Sequence, residues 1–412
     1  MSILINNGTN AEAFSLSRAS QSVAVRTVTV HDFASLSSHW ALWDRLACNA
    51  PQRVPTLSPA WVEAHLRHRL RPEERWCCSF TYAGERLVGV LPVVITPHRI
   101  LGAARPVLRT LFDDHTPSGD ILLDANYAVL ALRAMLSKLG EEIPAHLGIE
   151  VRRVRQNSPL LAALPKGLDD HRLLIGLCSK GSLIRLEGGR DEYMAGLGKK
   201  MRWNLKNSRK KLQEMGEVSV EIKRGADANE DFVQDFLSIE ASGWKGRNGT
   251  AIANDPDTTA FYTALVRSFA SQGRLEWHVL RVQGRVVAAS MGIRCGASLM
   301  IPKIGFDENY AAGAPGRILT GELIENGFSR SDLVEINYMS DEPWQRYWRM
   351  HQDDYVDLYL ARDGLLPYLL HGAFIQAKIA LKRHVKPRLP NAMLRAVSNT
   401  KSCGLRLMRR LP

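Results

Sequence analysis

The sequence predicts an α/β protein built from two tandem copies of one domain. Each copy reads as a mixed, largely antiparallel sheet flanked by helices, and a basic amphipathic tail follows the second. Two observations carry this reading. The same elements recur in the same order at an offset of about 200 residues. The length, 412 residues, also suits two domains of that size.

The elements can be taken in order. Asp32-Phe33 opens an apolar-periodic run through Trp40, Leu42 and Trp43, and Asp231-Phe232 opens its counterpart through Phe236 and Ile239. A second helical stretch follows in each copy, 58–70 with Trp61 and 258–269 with Phe261-Tyr262. Each is followed by a hairpin, from Trp76 to Leu91 and from Trp277 to Ala289, with turn glycines at Gly84 and Gly284. In the second copy the meander reads as 274–282, 285–294 and 298–305. A loop, 306–314, leads to a helix beginning at Pro315, where a fixed φ suits the first turn. Ile318/Leu319, Leu323/Ile324 and Phe328 keep helical spacing, and Gly327 marks the end. A strand over 333–338, a short helix over 342–349 and a closing strand over 355–360 complete the copy.

These elements divide the chain into a disordered segment 1–22, a first domain 23–188, a second domain 189–361 and a tail 362–412. The second domain is entered by a basic helix, 197–215. There Lys199 to Lys211 holds seven basic residues and no acid, while Leu197, Met201, Leu205, Leu212 and Met215 share one face. That pattern reads as a solvated cationic face or as a phosphate- or RNA-contacting one.

Hydrophobic residues make up 45% and charged residues 23%, enough for two full cores. The net charge of +12 is unevenly placed: residues 362–412 hold eleven Lys/Arg against one acid, Asp363, so the body is nearly neutral. The six cysteines form no CxxC and no zinc spacing, which leaves them as packing thiols of a reduced compartment and argues against a metal. Cys77 and Cys78, adjacent on a strand, should face opposite sides. No secretory leader is read at the start, and 365–381 is too short and polar to span a bilayer. A cytoplasmic protein is expected, peripheral on the inner face of the cell membrane if the tail binds lipid.

The strongest chemical signal is strand, loop and helix from Leu299 to Ile324. Small residues over Ala311-Ala-Gly-Ala-Pro-Gly-Arg317 let a backbone approach a bulky anion, and a helix N-terminus with Arg317 offers positive charge. A tight turn would use the same residues. In the first copy, Asp113-Asp114-His115 with Asp120 is the one polar loop cluster; it reads as a solvated loop or an amine site, with metal ligation disfavoured.

Together with Ser242-Gly-Trp-Lys-Gly246, Gly249-Thr-Ala251, Lys303-Ile-Gly-Phe-Asp-Glu-Asn-Tyr310, Ala314-Pro-Gly-Arg317, Asp341-Glu-Pro-Trp344 and Trp348, the chain resembles the GNAT acyltransferase superfamily. The form is the tandem, Fem-like one, and the nearest branch is acetyltransferase-like proteins associated with cellulose or exopolysaccharide biosynthesis. The chain departs from that branch at Ile336-Asn337, Ser340 and Trp344-Gln345, where Asp-Phe-x-x-Gly and Tyr-Lys are expected.

The resemblance implies acyl transfer, acetyl or longer, from acyl-CoA to a primary amine. Pantetheine would lie where strands 298–305 and 333–338 splay, and pyrophosphate on Ala311, Gly313, Ala314, Pro315, Gly316 and Arg317. The first copy lacks Pro-Gly-Arg, so one donor site is expected and the first copy shapes the acceptor side. Asp307 is then the first choice for general base, or else a loop cap. Lys303, Tyr338 and Glu240 are the further catalytic candidates, and Trp244, Lys245, Tyr310, Asp113 and Asp114 the acceptor-side ones. No metal is expected. The acceptor implied is an envelope-related amine, an amino sugar or an amino lipid such as a sphingoid-like base. Two rival readings stand beside this: a Fem-like transferase using aminoacyl-tRNA, with Lys199 to Lys211 on the RNA, and an inactive tandem binding protein of polysaccharide assembly.

Overall fold

A computed structural model describes residues 24–97, 99–100 and 103–381. The first half runs β1 (Val25–Val30), α1 (Phe33–Ser37), α2 (Trp40–Asn49), α3 (Pro59–His68), β2 (Arg75–Ala83), β3 (Arg86–Thr96), β4 (Val107–Arg109), α4 (Ala128–Glu142), β5 (Gly148–Arg155), α5 (Pro159–Gly167) and β6 (His171–Arg185). The second half opens with α6 (Arg190–Gly196), α7 (Lys199–Met215), β7 (Val218–Arg224), α8 (Val233–Ala241), α9 (Pro256–Ser271), β8 (Leu275–Val282) and β9 (Arg285–Cys295). It continues with β10 (Ser298–Phe306), α10 (Pro315–Phe328), β11 (Glu335–Asn337) and β12 (His351–Arg362), after which α11 (Ala373–Ala380) begins the tail.

Local chemistry accounts for the boundaries. Asp32 caps α1 by accepting from Ser35 N at 2.8 Å. Proline stands in the first turn of α3, α9 and α10. The β8–β9 hairpin turns on Gln283 at φ 48° and Gly284 at φ 75°, the two positive angles a two-residue turn of matching twist requires. Cys77 and Cys78 enter different cores, as alternation along β2 demands.

Three elements differ from the expectation. β11 is shorter, and the short helix after it is the 3-10 turn Pro343–Trp348. The closing strand is longer because it is paired along both edges, by β5 and by β6.

That double pairing organises the molecule. The strands form one 13-stranded sheet in the order β1-β2-β3-β4-β5-β12-β6-β11-β10-β9-β8-β7, with the two-residue strand Leu122–Leu123 off the path against β3. The last strand of each half lies inside the other half's sheet. β12 pairs with β5 (Leu360 opposite Ile149), and β6 pairs with β11 (Ile336 opposite Ile184). The halves have exchanged their final strands.

The core is shared as well. One cluster joins Trp43, Trp61 and Phe80 to Phe236, Phe261 and Trp277. Trp61 meets Phe261 edge-on at 5.9 Å, a favourable aromatic geometry. At the seam Arg155, 3% exposed, donates to both Glu335 oxygens at 2.9 Å, to Asp353 at 2.8 Å and to the Gln52 carbonyl at 2.7 Å. A buried guanidinium needs such full pairing to repay its lost hydration.

Candidate functional site

β10 and β11 are parallel neighbours over three residue pairs only, ending at Met300 opposite Asn337. β10 then continues to Phe306 while β11 stops, so a gap opens along one edge of β10. A bulge falls at the same place. Met291 lies opposite Lys303 and Ile293 opposite Met300, which gives β10 one residue more than β9 across this span. The extra residue breaks strict alternation and turns Lys303 to the face that carries Met300.

On the opposite face, the loop after β10 coils into the 3-10 turn Glu308–Gly313 and enters α10 through Ala314, which adopts the left-handed conformation at φ 45°. The two glycines here have different reasons. A Cβ on Gly313 would lie 2.3 Å from Leu212 Cδ2, so that glycine is required by packing against α7. A Cβ on Gly316 would meet only the Phe306 ring, at 3.6 Å, an ordinary contact. Nothing in the described chain needs a glycine at 316. Arg317, one residue on, donates to Ser208 Oγ of α7 at 3.0 Å. Pro315, Ala311 and Ala314 complete the small-residue turn. The site was expected to accept a thioester's pyrophosphate, and an open glycine beside a fixed arginine at a helix start fits that group.

Beside the gap, Tyr338 directly follows β11. Its Oη is buried without a hydrogen-bond partner, next to the Thr320 hydroxyl of α10. Burial pushes its phenol well above the usual range, so it stays protonated. Its ring meets Trp344 edge-on at 5.5 Å.

The Lys303 face meets the first half. Asp113 closes a turn by accepting from His115 N at 2.8 Å and Thr116 N at 2.7 Å, and it takes Arg69 Nε at 2.8 Å. Burial would raise its carboxyl, but His65, Arg69 and those N–H groups outweigh it and hold the pKa at about 2. Arg69 reaches on to Thr258 Oγ1 of α9 at 2.6 Å. The turn thereby presents His115 to the second half, where Nδ1 lies 3.1 Å from the Tyr262 hydroxyl. Lys303 Nζ sits 5.5 Å from the centroid of the same Tyr262 ring. Burial first, and Lys303 second, push His115 down to about 4, so its ring is neutral at pH 7.

The remaining expected residues divide clearly. Asp307, 1% exposed, caps the 3-10 turn through Asn309 N at 3.0 Å and pairs with Arg285 at 3.0 Å. Of its two readings, base or loop cap, the geometry favours the cap, because both oxygens are engaged. Glu240 holds Ile252 N at 2.9 Å, fastening the 250s loop to α8. Tyr310 packs on the Leu212 and Ile318 cluster, across the sheet from His115. Asp114 is exposed beside the Asp113 turn. Trp244 and Lys245 stand in the one-turn helix Trp244–Arg247, and their side chains lie outside what the structure describes. No group of metal-holding side chains occurs among the described residues.

His115, Tyr262 and Arg69 were not singled out as site residues. His115 reads in the sequence only as one member of the Asp113-Asp114-His115 cluster, a solvated loop or an amine site, and nothing local announces that it meets Tyr262, 147 positions away.

Residues 199–346 match the family model described as an acetyltransferase (GNAT) domain. No curated protein matches the sequence. Among solved structures, FemX superposes with a TM-score of 0.56 at 10% identity, over 84% of this chain and 99% of that one. The C-terminal domain of a putative lysylphosphatidylglycerol synthetase from Agrobacterium fabrum gives 0.50 at 11%, over 82% and 96%. A protein of unknown function from Bacteroides thetaiotaomicron gives 0.50 at 14%, over 79% and 97%. At these identities the likeness concerns fold, and it extends across both halves. Residues 199–346 are thus similar to a GNAT acetyltransferase domain, and the chain as a whole shares the fold of FemX.

Proposed function

We propose that the second half transfers an acyl group from an acyl-CoA thioester to a primary amine, with the first half walling the acceptor side. The observation that carries this is the gap between β10 and β11, which opens beside a helix start whose Gly316 has no packing reason. Donor and acceptor approach from opposite faces of the sheet in this reading. The thioester threads the gap from the α10 side, with its pyrophosphate on Gly316 and Arg317. The amine arrives on the Lys303 face, where the neutral His115 ring takes its proton through Nε2 as nitrogen bonds to the carbonyl carbon. The carbon–sulfur bond then breaks, and Tyr338 hands its proton to the thiolate and takes one back as the thiol leaves and water enters the gap. Lys303 adds positive charge near the developing oxyanion. The acceptor class we favour is an envelope-related amine, either an amino sugar or an amino lipid.

A Gly316→Val variant tests the donor site. Its fold and thermal midpoint should be unchanged, since the added carbons meet only Phe306 at first contact. Calorimetric titration with CoA should show affinity lost. Unchanged affinity in the folded variant removes the assignment.

One observation favours a second reading. The exposed face of α7 presents Lys199, Lys200, Lys206 and Lys211 with Trp203, 63% exposed, a surface that suits a nucleic acid such as an aminoacyl-tRNA. Salt-sensitive tRNA binding together with no CoA binding would select it.

A further inference from the structure

Among the described residues, the segment 365–381 after β12 gathers exposed apolar side chains more densely than any other stretch. Helical residues 365–380 are pinned to the body by Ile375, 1% exposed, and pack against β6 and β12. From this anchored helix Leu365 (76%), Leu369 (56%), Phe374 (63%) and Leu381 (58%) stand out into solvent. Those four are a third of the exposed large hydrophobics among the described residues, gathered into 17 positions. Ile175, on the strand the helix packs against, adds a fifth at 58%. Exposed apolar residues scattered over a surface need no explanation, whereas four within one short helical segment do.

Charge identifies the partner. From Gly364 to Pro412 there is no Asp or Glu, against ten Lys/Arg, of which Lys378 lies on α11 and nine follow Leu381. In the sequence, Pro387 and Pro390 should break a helix and a further apolar stretch runs to Met408; these positions lie outside the described residues. An apolar helical segment followed in the sequence by cations alone matches an anionic lipid surface, where apolar side chains enter the acyl boundary and cations meet headgroups. The helix leaves β12 at Arg362, while the other end of that strand, His351, lies beside the gap's end of the sheet. The docking surface is therefore separate from the candidate site, and it stands whether or not acyl transfer is the activity. We infer that residues 365–381 are an interfacial anchor that docks this protein on an anionic bilayer surface. No described helix is long and apolar enough to cross one.

The test is co-sedimentation of the full chain with vesicles of phosphatidylcholine alone or of equal parts phosphatidylcholine and phosphatidylglycerol. Wild-type protein should pellet with the anionic vesicles and not with the neutral ones, and pelleting should fall as salt rises. Leu369→Glu combined with Phe374→Glu alters only exposed positions and should weaken anionic binding by about tenfold or more. Tyr347→Glu, a comparably exposed site beyond the other end of β12, should leave it unchanged. The inference is overturned by no pelleting at low salt, by equal pelleting on both vesicles, or by an undiminished double variant. It is equally overturned if the wild type is a dimer that the double variant dissolves without vesicle binding, since a second copy then covers the face.

Discussion

Replacing Arg155 by methionine probes the seam that joins the halves. The guanidinium, from β5 of the first half, is the cation facing Glu335 on β11 and Asp353 on β12. Methionine fills much of its volume but takes the hydrogen-bonded guanidinium from two buried carboxylates, and the donor from the Gln52 carbonyl. Asp353 keeps Gln156 at 3.0 Å, so the loss falls mainly on Glu335. Removing one member of a buried pair costs about 3–5 kcal/mol, most of it the desolvation of the charge left behind. Urea unfolding followed by tryptophan fluorescence, with nine tryptophans as reporters, measures it directly. The pH dependence supplies a second check. In the native protein burial would raise Glu335, but the Arg155 hydrogen bonds and charge hold it below 4.5. The pairing stability is therefore present above the unfolded value and is lost as pH falls through the folded one. In the variant the sign reverses: Glu335 is raised, and protonating it removes the buried charge. The deficit against wild type should accordingly shrink between pH 7 and pH 5. Adding Glu335→Gln should recover part of it at pH 7. A deficit below about 1 kcal/mol, or one that does not change with pH, refutes this account of the seam.

Gly313→Val should cost about 1–3 kcal/mol by driving carbon into Leu212, and Leu212→Ala in the same chain should return much of it in thermal melts. Asp307→Asn should keep its transfer rate and lose about 1 kcal/mol or less, because asparagine still caps and Arg285 is largely exposed; a rate loss of two powers of ten would restore it as the base. His115→Asn retains a group at the Nδ1 position for Tyr262 but removes Nε2. It should lower amine transfer by about 100-fold with donor affinity unchanged, and equal transfer would exclude His115 from proton removal.

What could be read from the sequence was what local rules determine. The Gly284 hairpin, the proline start of α10 and the opposed faces of Cys77 and Cys78 each follow from a few neighbouring residues. The exchanged strands could not be read this way. β6 and β12 alternate like any closing strand, and which sheet receives them depends on partners such as Glu335 and Arg155, 180 positions apart. The site divided along the same line. The loop from Ala311 to Arg317 was visible as small residues before a helix, but the separate reasons for Gly313 and Gly316 needed Leu212 and Phe306 in place. The bulge that turns Lys303 depends on the register against β9, which no property of β10 alone announces. Asp307 was ambiguous because a carboxylate before a loop suits a cap and a base equally, until its neighbours are known.

The exchange of final strands has a consequence for how the chain is made. Translation delivers β5 and β6 early, yet the strand that belongs between them, His351–Arg362, leaves the ribosome some two hundred residues later. Until then β5 has an open edge, and Ile149 waits for Leu360. The first half thus spends much of synthesis as an unfinished sheet, and closing it requires contacts of high sequence separation, which form slowly. A stop codon anywhere before β12 should leave the first half's sheet unfinished, so that segment is not expected to accumulate as a soluble fragment. Supplying a later fragment in trans, begun at α6 and carrying β12, should rescue it.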